Sequence, residues 1–316
     1  MIKPYLSIII PLYNKEKHIK DTLDSVWAQS FTDFEVIVVN DGSTDKSLEV
    51  IQSINDERLQ LFSIKNQGVS HARNYGISKA NSDLIVFLDA DDLWLEHHLQ
   101  DLKELYEEFP NCGLYCKAYN KQDGNIIIRS KFKNIPSDLL WKGIVDDYFE
   151  SSLINSIAWT SATMVPKSVL KKIGTFDTKI TLGAGEDTDL WIRIALQYPV
   201  AFSNKISAIH QLHSDNRISN SNTNIRQFIN LDNYNAQAET NSSLKQYLDL
   251  NRFAIAIQYK LTGNSEKADL YTDKLDSKSL NKKQRFLLAL PTCLLKLFFK
   301  LKQFLKKRGI QLSSFR

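Results

Sequence analysis

Residues 84–92, Leu-Ile-Val-Phe-Leu-Asp-Ala-Asp-Asp, constrain the fold more than any other stretch of the chain. Leu84–Leu88 are all apolar and rich in branched and aromatic side chains. That is the pattern of a short strand buried on both faces, as in a parallel sheet covered by helices. The run stops in three carboxylates, Asp89, Asp91 and Asp92. Negative charges crowded at the mouth of a buried strand repel one another and are costly to desolvate, and a cation offsets that cost. Carboxylate oxygens suit hard ions such as Mg2+ or Mn2+, which commonly bridge proteins to diphosphates. The same residues also read as a solvated acidic turn with Asp92 capping the next helix, and a short Asp-x-Asp motif does not by itself separate the two readings.

The pattern recurs upstream. Leu6–Ile10 is a buried strand stopped by Pro11; Phe34–Val39 is a second, ending in Asn40-Asp41-Gly42-Ser43-Thr44-Asp45; Leu59–Ile64 is a third. Helices fall between them. Ile19, Leu23, Val26 and Trp27 share one helical face, with Asn14 available as its cap, and further helices are expected at Ser47–Ile54 and Val69–Ala80. Strands alternating with helices imply a mostly parallel α/β sheet, in which ligands bind beyond the carboxyl ends of the strands. Those ends carry Pro11-Leu12-Tyr13-Asn14, Asn40-Asp41-Gly42-Ser43 and Asp89-Ala90-Asp91-Asp92, so polar and acidic groups gather along one rim. No Gly-x-Gly-x-x-Gly and no Gly-x-x-x-x-Gly-Lys-Ser/Thr follows a strand, which disfavours dinucleotide and P-loop sites.

Downstream, the sequence predicts a helix through Leu99, Leu102 and Tyr106, then strands near Cys112–Tyr119 and Asn125–Lys131 joined at Gln122-Asp123-Gly124. A helical stretch follows near Asp138–Ser151, a strand at Trp159–Val165 and a short helix at Lys167–Lys172. The flexible run Gly183-Ala184-Gly185 has the composition of a lid hinge and delivers Glu186-Asp187-Thr188-Asp189 into the first turn of another helix. A last strand, Ile206–His210, leads to His213 and Arg217. The Ser/Asn-rich stretch 219–227 marks a boundary, beyond which the chain reads as helical over about Gln227–Leu261 and Ser265–Leu275. The expected organisation is a catalytic domain over 1–220, a helical extension over 221–280 and a basic tail over 281–316.

Charge is distributed unevenly. Residues 282–316 hold ten of the 40 Lys and Arg and no Asp or Glu, while the net charge of the whole chain is only +4. A mildly acidic body argues against a nucleic-acid groove. In the tail, Leu294, Phe298, Leu301 and Leu305 form one helical stripe, and Lys296, Lys300, Gln303 and Lys307 form another. That phasing predicts a helix lying in an anionic membrane interface, the alternative being a helix packed on the protein body. No run of about 18 apolar residues suits a membrane span. The start, Met1-Ile2-Lys3-Pro4-Tyr5, lacks the apolar region of a signal peptide, and three cysteines do not make a disulfide framework. Both point to the cytoplasm, at the cytoplasmic face of the cell membrane.

In order and spacing, five segments resemble glycosyltransferase family 2, the inverting nucleotide-sugar transferases of GT-A fold. They are Ser7-Ile8-Ile9-Ile10-Pro11-Leu12-Tyr13-Asn14; Val39-Asn40-Asp41-Gly42-Ser43-Thr44-Asp45; Asn66-Gln67-Gly68-Val69-Ser70-His71-Ala72-Arg73-Asn74; Leu88-Asp89-Ala90-Asp91-Asp92-Leu93-Trp94; and Gly185-Glu186-Asp187-Thr188-Asp189-Leu190-Trp191-Ile192-Arg193. The likeness covers residues 5 to about 218 and departs at Glu96, where the family often has proline.

The resemblance implies a hexosyl- or N-acetylhexosaminyltransferase that takes a nucleotide-sugar donor, a UDP-sugar above all. The acceptor would be a hydroxyl of a cell-envelope glycan or its lipid-linked precursor. It places Pro11, Tyr13, Asp41, Arg73 and Asp89 on the nucleotide, and Asp91 on a Mn2+ or Mg2+ ion. Asp187 becomes the general base that takes the acceptor proton, and Glu186 an acceptor-binding residue. Asp92 and Arg217 are further donor-site candidates. His213 is either a third metal ligand or a structural histidine. Two other classes use related chemistry: a nucleotidyltransferase, which would need a glycine-rich phosphate loop at the first strand, and a non-catalytic sugar-nucleotide scaffold at the membrane.

Overall fold

The computed structural model describes residues 3–215 and 221–307. Up to residue 215 the elements are β1 (Leu6–Leu12), α1 (Ile19–Trp27), β2 (Phe34–Asp41), α2 (Ser47–Gln52), β3 (Leu59–Ile64), α3 (Val69–Lys79), β4 (Leu84–Phe87), β5 (Leu93–Trp94), α4 (His98–Glu108), β6 (Leu114–Asp123), β7 (Ile126–Arg129), β8 (Lys142–Ile144), α5 (Tyr148–Ser151), β9 (Thr163–Pro166), α6 (Lys167–Ile173), α7 (Glu186–Ala195) and β10 (Val200–Gln211). After residue 221 come α8 (Asn235–Thr240), α9 (Ser242–Thr262), α10 (Ser265–Thr272), α11 (Lys282–Ala289) and α12 (Thr292–Lys307). The chain divides into two compact units. One comprises Met1–Tyr148, Ser156–Ser221 and Gln227–Ile229; the other comprises Phe149–Asn155, Asn222–Arg226 and Asn230–Arg316.

All ten described strands of the first unit form one sheet, ordered β3-β2-β1-β4-β9-β6-β10-β5, with β7 added on β6 and β8 on β10. β3, β2, β1 and β4 run parallel, with Ile8 opposite Val36 and Ile9 opposite Phe87. The next strand, β9, is antiparallel to both β4 and β6, so the sheet is mixed beyond its first half. Apolar runs explain the central strands: β2 is buried along its whole length, and every residue of β1 except Pro11 is buried. On α1, Ile19, Leu23 and Val26 face this core. α3 lies so close to the sheet that a Cβ on Gly76 would meet Ile9 Cγ2 at 2.5 Å. A side chain there would push the helix, and Arg73 with it, off the sheet.

A buried ion pair anchors α4. Lys117 on β6 donates to Asp101 Oδ2 on α4 at 2.7 Å and to Ser203 Oγ at 2.9 Å, while Lys205 meets Asp101 Oδ1 at 3.0 Å. Burial pulls the Lys117 ammonium down to about 8, although Asp101 opposes the shift.

Three local expectations change. The stretch Asp138–Ser151 is not one helix. Asp138 Oδ1 accepts the Leu140 amide at 2.9 Å in a tight turn, and β8 pairs antiparallel with β10, Gly143 opposite Phe202. Its apolar spacing looks helical, but the turn-forming Asp and the mid-run Gly break the period. Second, Asn14 does not cap α1, which begins after His18; Asn14 takes φ 51° and bonds to the loop after β2. Third, the helix expected from Gln227 is interrupted. A 3-10 turn spans Leu231–Tyr234, α8 ends at Thr240, and the Asn241 side chain caps α9 through the Leu244 amide at 2.9 Å.

In the second unit, Leu250, Phe253 and Ile257 of α9 form a core with Leu280, Leu287 and Leu295. The carboxylate of Asp249, fully buried on α9, is satisfied by Arg252, Lys245 and Ser279. α12 turns Leu295 inward and, with it, Phe298 and Phe299 against that core. It leaves Leu294, Leu297, Leu301 and Phe304 exposed. The expected stripe is therefore split, since Phe298 packs and Leu297 and Phe304 face outward. The side chains of Gln303 and Lys307 lie outside the described residues.

Candidate active site

The site begins where two loops are stitched together at the carboxyl ends of β1 and β2. The Thr44 amide donates to Asn14 Oδ1 at 2.8 Å, and the Asn14 amide donates to Ser43 Oγ at 3.1 Å. The Lys15 amide donates to Ser47 Oγ at 2.7 Å, Glu16 N to Asp45 Oδ2 at 3.1 Å and Lys46 N to Glu16 Oε2 at 2.9 Å. These side chains satisfy the amides that open α2 and the turn before α1. Beside them Pro11 is half-buried and the Tyr13 ring is 41% exposed, the exposure a ring needs if a flat ligand is to stack on it.

Asp41, the last residue of β2, is buried. Its two carboxylate oxygens accept the amides of Gln67 and Gly68, each at 2.8 Å. Burial pushes its carboxyl above the ordinary carboxylate range, and the two amides oppose the shift. Asp41 thus holds the loop that starts α3, and its remaining lone pairs are what a ligand can use. Gly42 follows at φ 69°, where a Cβ would stand 2.9 Å from the Asn66 amide nitrogen, so this position requires glycine.

The electrostatic centre is Arg73. It projects from α3, is only 4% exposed, and donates through Nη2 to Asp89 Oδ1 at 2.6 Å. Its Nη1 lies 3.6 Å from Glu186 Oε1, and its guanidinium sits 5.1 Å from the centroid of the Phe176 ring. Arg73 Nε and Nη1 and Glu186 Oε2 are buried and have no hydrogen-bond partner among the described residues. Such groups are costly unless another molecule satisfies them. Glu186 is the first residue of α7, and burial lifts its carboxyl to about 7; Asp187 adds to the shift and Arg73 opposes it. Glu186 therefore sits at 6% exposure against Arg73, inside the cluster. Asp187 is half-buried: Oδ1 accepts the Thr188 amide at 2.6 Å, and Oδ2 accepts the Thr160 hydroxyl at 3.4 Å. The third acid of this run, Asp189, is an anchor, bonded to Arg193, which also donates to the carbonyls of Ile173 and Thr175. Ala184 is buried, and its carbonyl accepts the Ile229 amide at 3.0 Å.

The acidic turn after β4 separates its three carboxylates by environment. Asp92 is 2% exposed; Oδ2 accepts the Ser161 hydroxyl at 2.6 Å and Oδ1 the Gln211 amide at 3.1 Å. It does not cap α4, whose cap residue is His97. Burial, reinforced by Asp91 and Asp89, raises the Asp92 carboxyl well above the usual range. Asp92 is thus the internal brace of the turn, and Ser161 also accepts the Asp89 amide at 3.1 Å. Asp91 Oδ2 receives the Lys15 ammonium at 2.7 Å and the Ser214 hydroxyl.

His213 Nε2 lies on the Asp123 carboxylate at the end of β6, and its side chain is 68% exposed. Arg217 lies outside the described residues. Among the described residues no group of three or more His, Cys, Asp or Glu is placed to hold a metal ion unaided. Asp89 and Asp91 do fit the hard-ion pattern in which one or two carboxylates share the ion with substrate phosphates.

Sequence reasoning missed Lys15, Ser161 and Ser214. Lys15 carries the one faint signal, a cation directly following a strand-end Asn in an otherwise acidic rim; the two serines carry none.

Comparison with known proteins agrees with this geometry. The model of the family described as glycosyl transferase family 2 matches residues 7–174. An uncharacterized glycosyltransferase of Rickettsia typhi is 30% identical over 227 residues, covering 69% of this chain and 68% of that protein. A putative teichuronic acid biosynthesis glycosyltransferase of Bacillus subtilis is 32% identical over 160 residues, 49% of this chain and 61% of that protein, so the chain spans less than two thirds of it. Among solved structures, S. aureus TarS 1–349 in complex with UDP-GlcNAc superposes with a TM-score of 0.61 at 18% identity, covering 97% of this chain and 92% of that one. The fold and the acidic rim define a glycosyltransferase of GT-A fold. The chain belongs to glycosyltransferase family 2.

Proposed function

We propose that the protein is an inverting, metal-assisted transferase that moves a sugar from a UDP-sugar to a hydroxyl of a cell-surface glycan or its lipid-linked precursor. One observation carries this reading. Arg73 draws together carboxylates from two distant parts of the chain, Asp89 after β4 and Glu186 and Asp187 at the start of α7. A donor-holding turn and a base-bearing helix end then face one cationic centre. Asp187 takes the proton of the acceptor hydroxyl as its oxygen attacks the anomeric carbon, and the electrons of the breaking glycosidic bond leave with the nucleoside diphosphate. Tyr13 and Pro11 flank the base, Asp41 accepts from it, and Arg73 holds Asp89 toward the ribose. Glu186, kept partly protonated by burial, is the neighbour through which an acceptor hydroxyl is oriented. Mn2+ or Mg2+ held by Asp91 and Asp89 with the donor's phosphates would supply charge neutralisation at the leaving group. The UDP-GlcNAc complex of the TarS fold relative supports the donor class, and the teichuronic acid relative supports a cell-envelope acceptor.

The exposed row Leu294, Leu297, Leu301 and Phe304, with Lys296 and Lys300 exposed on the same helix, supports attachment to an anionic membrane at its cytoplasmic face. None of the described helices is long and apolar enough to cross a membrane.

The test is Asp187→Asn. Transfer from UDP-sugars should fall about 10^2–10^4-fold, the range of general-base catalysis, while calorimetric UDP affinity stays within about threefold of wild type. Undiminished turnover would remove Asp187 as the base.

A further inference from the structure

Lys15 occupies an unexpected position. Its side chain is 11% exposed, and its ammonium is shared between Asp91 Oδ2 and the carbonyl of Asp215, each at 2.7 Å. The carboxylate it holds is 16% exposed and also receives the Ser214 hydroxyl. The backbone of Lys15 is held by the hydrogen bond its amide donates to Ser47 Oγ, while its side chain is a flexible four-carbon stem. The next residues secure the same segment, with Lys17 on the Asp215 carboxylate at 2.8 Å and the Asp215 amide on His18 Nε2 at 3.2 Å. The segment therefore stays tied when Lys15 lets go. An ammonium and a divalent ion cannot both sit against Asp91 Oδ2 without strong like-charge repulsion. A donor diphosphate placed against Asp91 brings negative charge within reach of the same four-carbon stem.

Resting on the metal and donor reading above, we propose that Lys15 is a built-in counter-cation that holds Asp91 before donor binding and passes to the donor's diphosphate when a divalent ion takes Asp91. Lys15 is then both a competitor of the metal and a ligand of the nucleotide, so its removal changes the two affinities in opposite directions. No purely structural role for the side chain produces that split.

The experiment uses the full chain, with Lys15→Met and Lys15→Arg as variants and circular dichroism melts as the check on folding. Free Mn2+ is titrated by electron paramagnetic resonance without nucleotide, and UDP is titrated by calorimetry at saturating Mn2+. For Lys15→Met the expected result is Mn2+ binding about tenfold tighter and UDP binding about tenfold weaker, the scale of losing one close charge contact. Lys15→Arg, which keeps the charge, should retain UDP affinity within about threefold. Unchanged Mn2+ affinity in Lys15→Met, or a loss of both affinities together, overturns the proposal. If wild type binds no Mn2+ even with UDP present, the metal reading falls, and the exchange falls with it. If wild type with UDP binds Mn2+ but Lys15→Met behaves identically, only the exchange falls.

Discussion

Replacing Glu186 by Gln isolates the electrostatic cost of the cluster around Arg73. Burial raises the Glu186 carboxyl from 4.5 to about 7. Between those values the folded chain keeps a proton that the unfolded chain has released, so stability falls as pH rises from about 4.5 to 7 and the full penalty is present above 7. A shift of roughly 2.5 units corresponds to about 3 kcal/mol. For a chain of 316 residues unfolding as one unit, that is about 5 °C in Tm. Gln keeps the shape and cannot ionise, so Glu186→Gln removes this slope and leaves the contributions of all other groups in place. The assay is differential scanning calorimetry of both proteins at pH 5 and pH 8. Wild type should lose about 4 °C more than the variant across that interval, since part of the change lies below pH 5. Parallel melting profiles would refute the buried, proton-retaining Glu186 and, with it, the account of how Arg73 is balanced.

Asp101→Asn should destabilise the protein by about 3–5 kcal/mol in urea titrations by stripping the buried Lys117 of its partner, whereas Lys117→Met should cost much less, since it removes the buried charge itself; equal losses would refute the asymmetry. Gly42→Ala should cost about 1–3 kcal/mol and weaken UDP binding, because φ 69° and the Asn66 amide both resist a Cβ; wild-type denaturation would show that the turn yields. The double variant Leu297→Glu, Leu301→Glu should stop co-flotation with anionic liposomes at an unchanged Tm, since both side chains face solvent; persistent flotation would sink the membrane face.

The half of the fold that carries the rim was legible because burial on both faces leaves an unbroken apolar run, as in Leu84–Leu88, with acids where it stops. The helix expected over 138–151 failed for the complementary reason. Trp141, Val145, Tyr148 and Phe149 have helical spacing, but pairing with β10 is a long-range fact that periodicity does not carry. The tail was legible in part. Its amphipathic character was readable, but which arc faces the core depends on α9, and Phe298 went inward while Leu297 stayed out. At the site, the motif acids were identifiable, yet their division of labour was not. Asp92 is a brace because Ser161 and the Gln211 amide reach it from distant strands, and Arg73 looks like any helical arginine until the closeness of α3 to the sheet buries it.

The stitching of the loops after β1 and β2 bears on how such an enzyme can be re-engineered. Asn14 and Glu16 bond to the backbone of the second loop, and Ser43, Asp45 and Ser47 bond back to the first. A graft that transplants only one of them strands amides on the other and loosens the ends of β1 and β2 together. The smallest exchangeable module for altering nucleotide choice is therefore a matched pair, residues 13–18 with residues 40–47, inherited as a single cassette although 21 residues of helix and strand separate them.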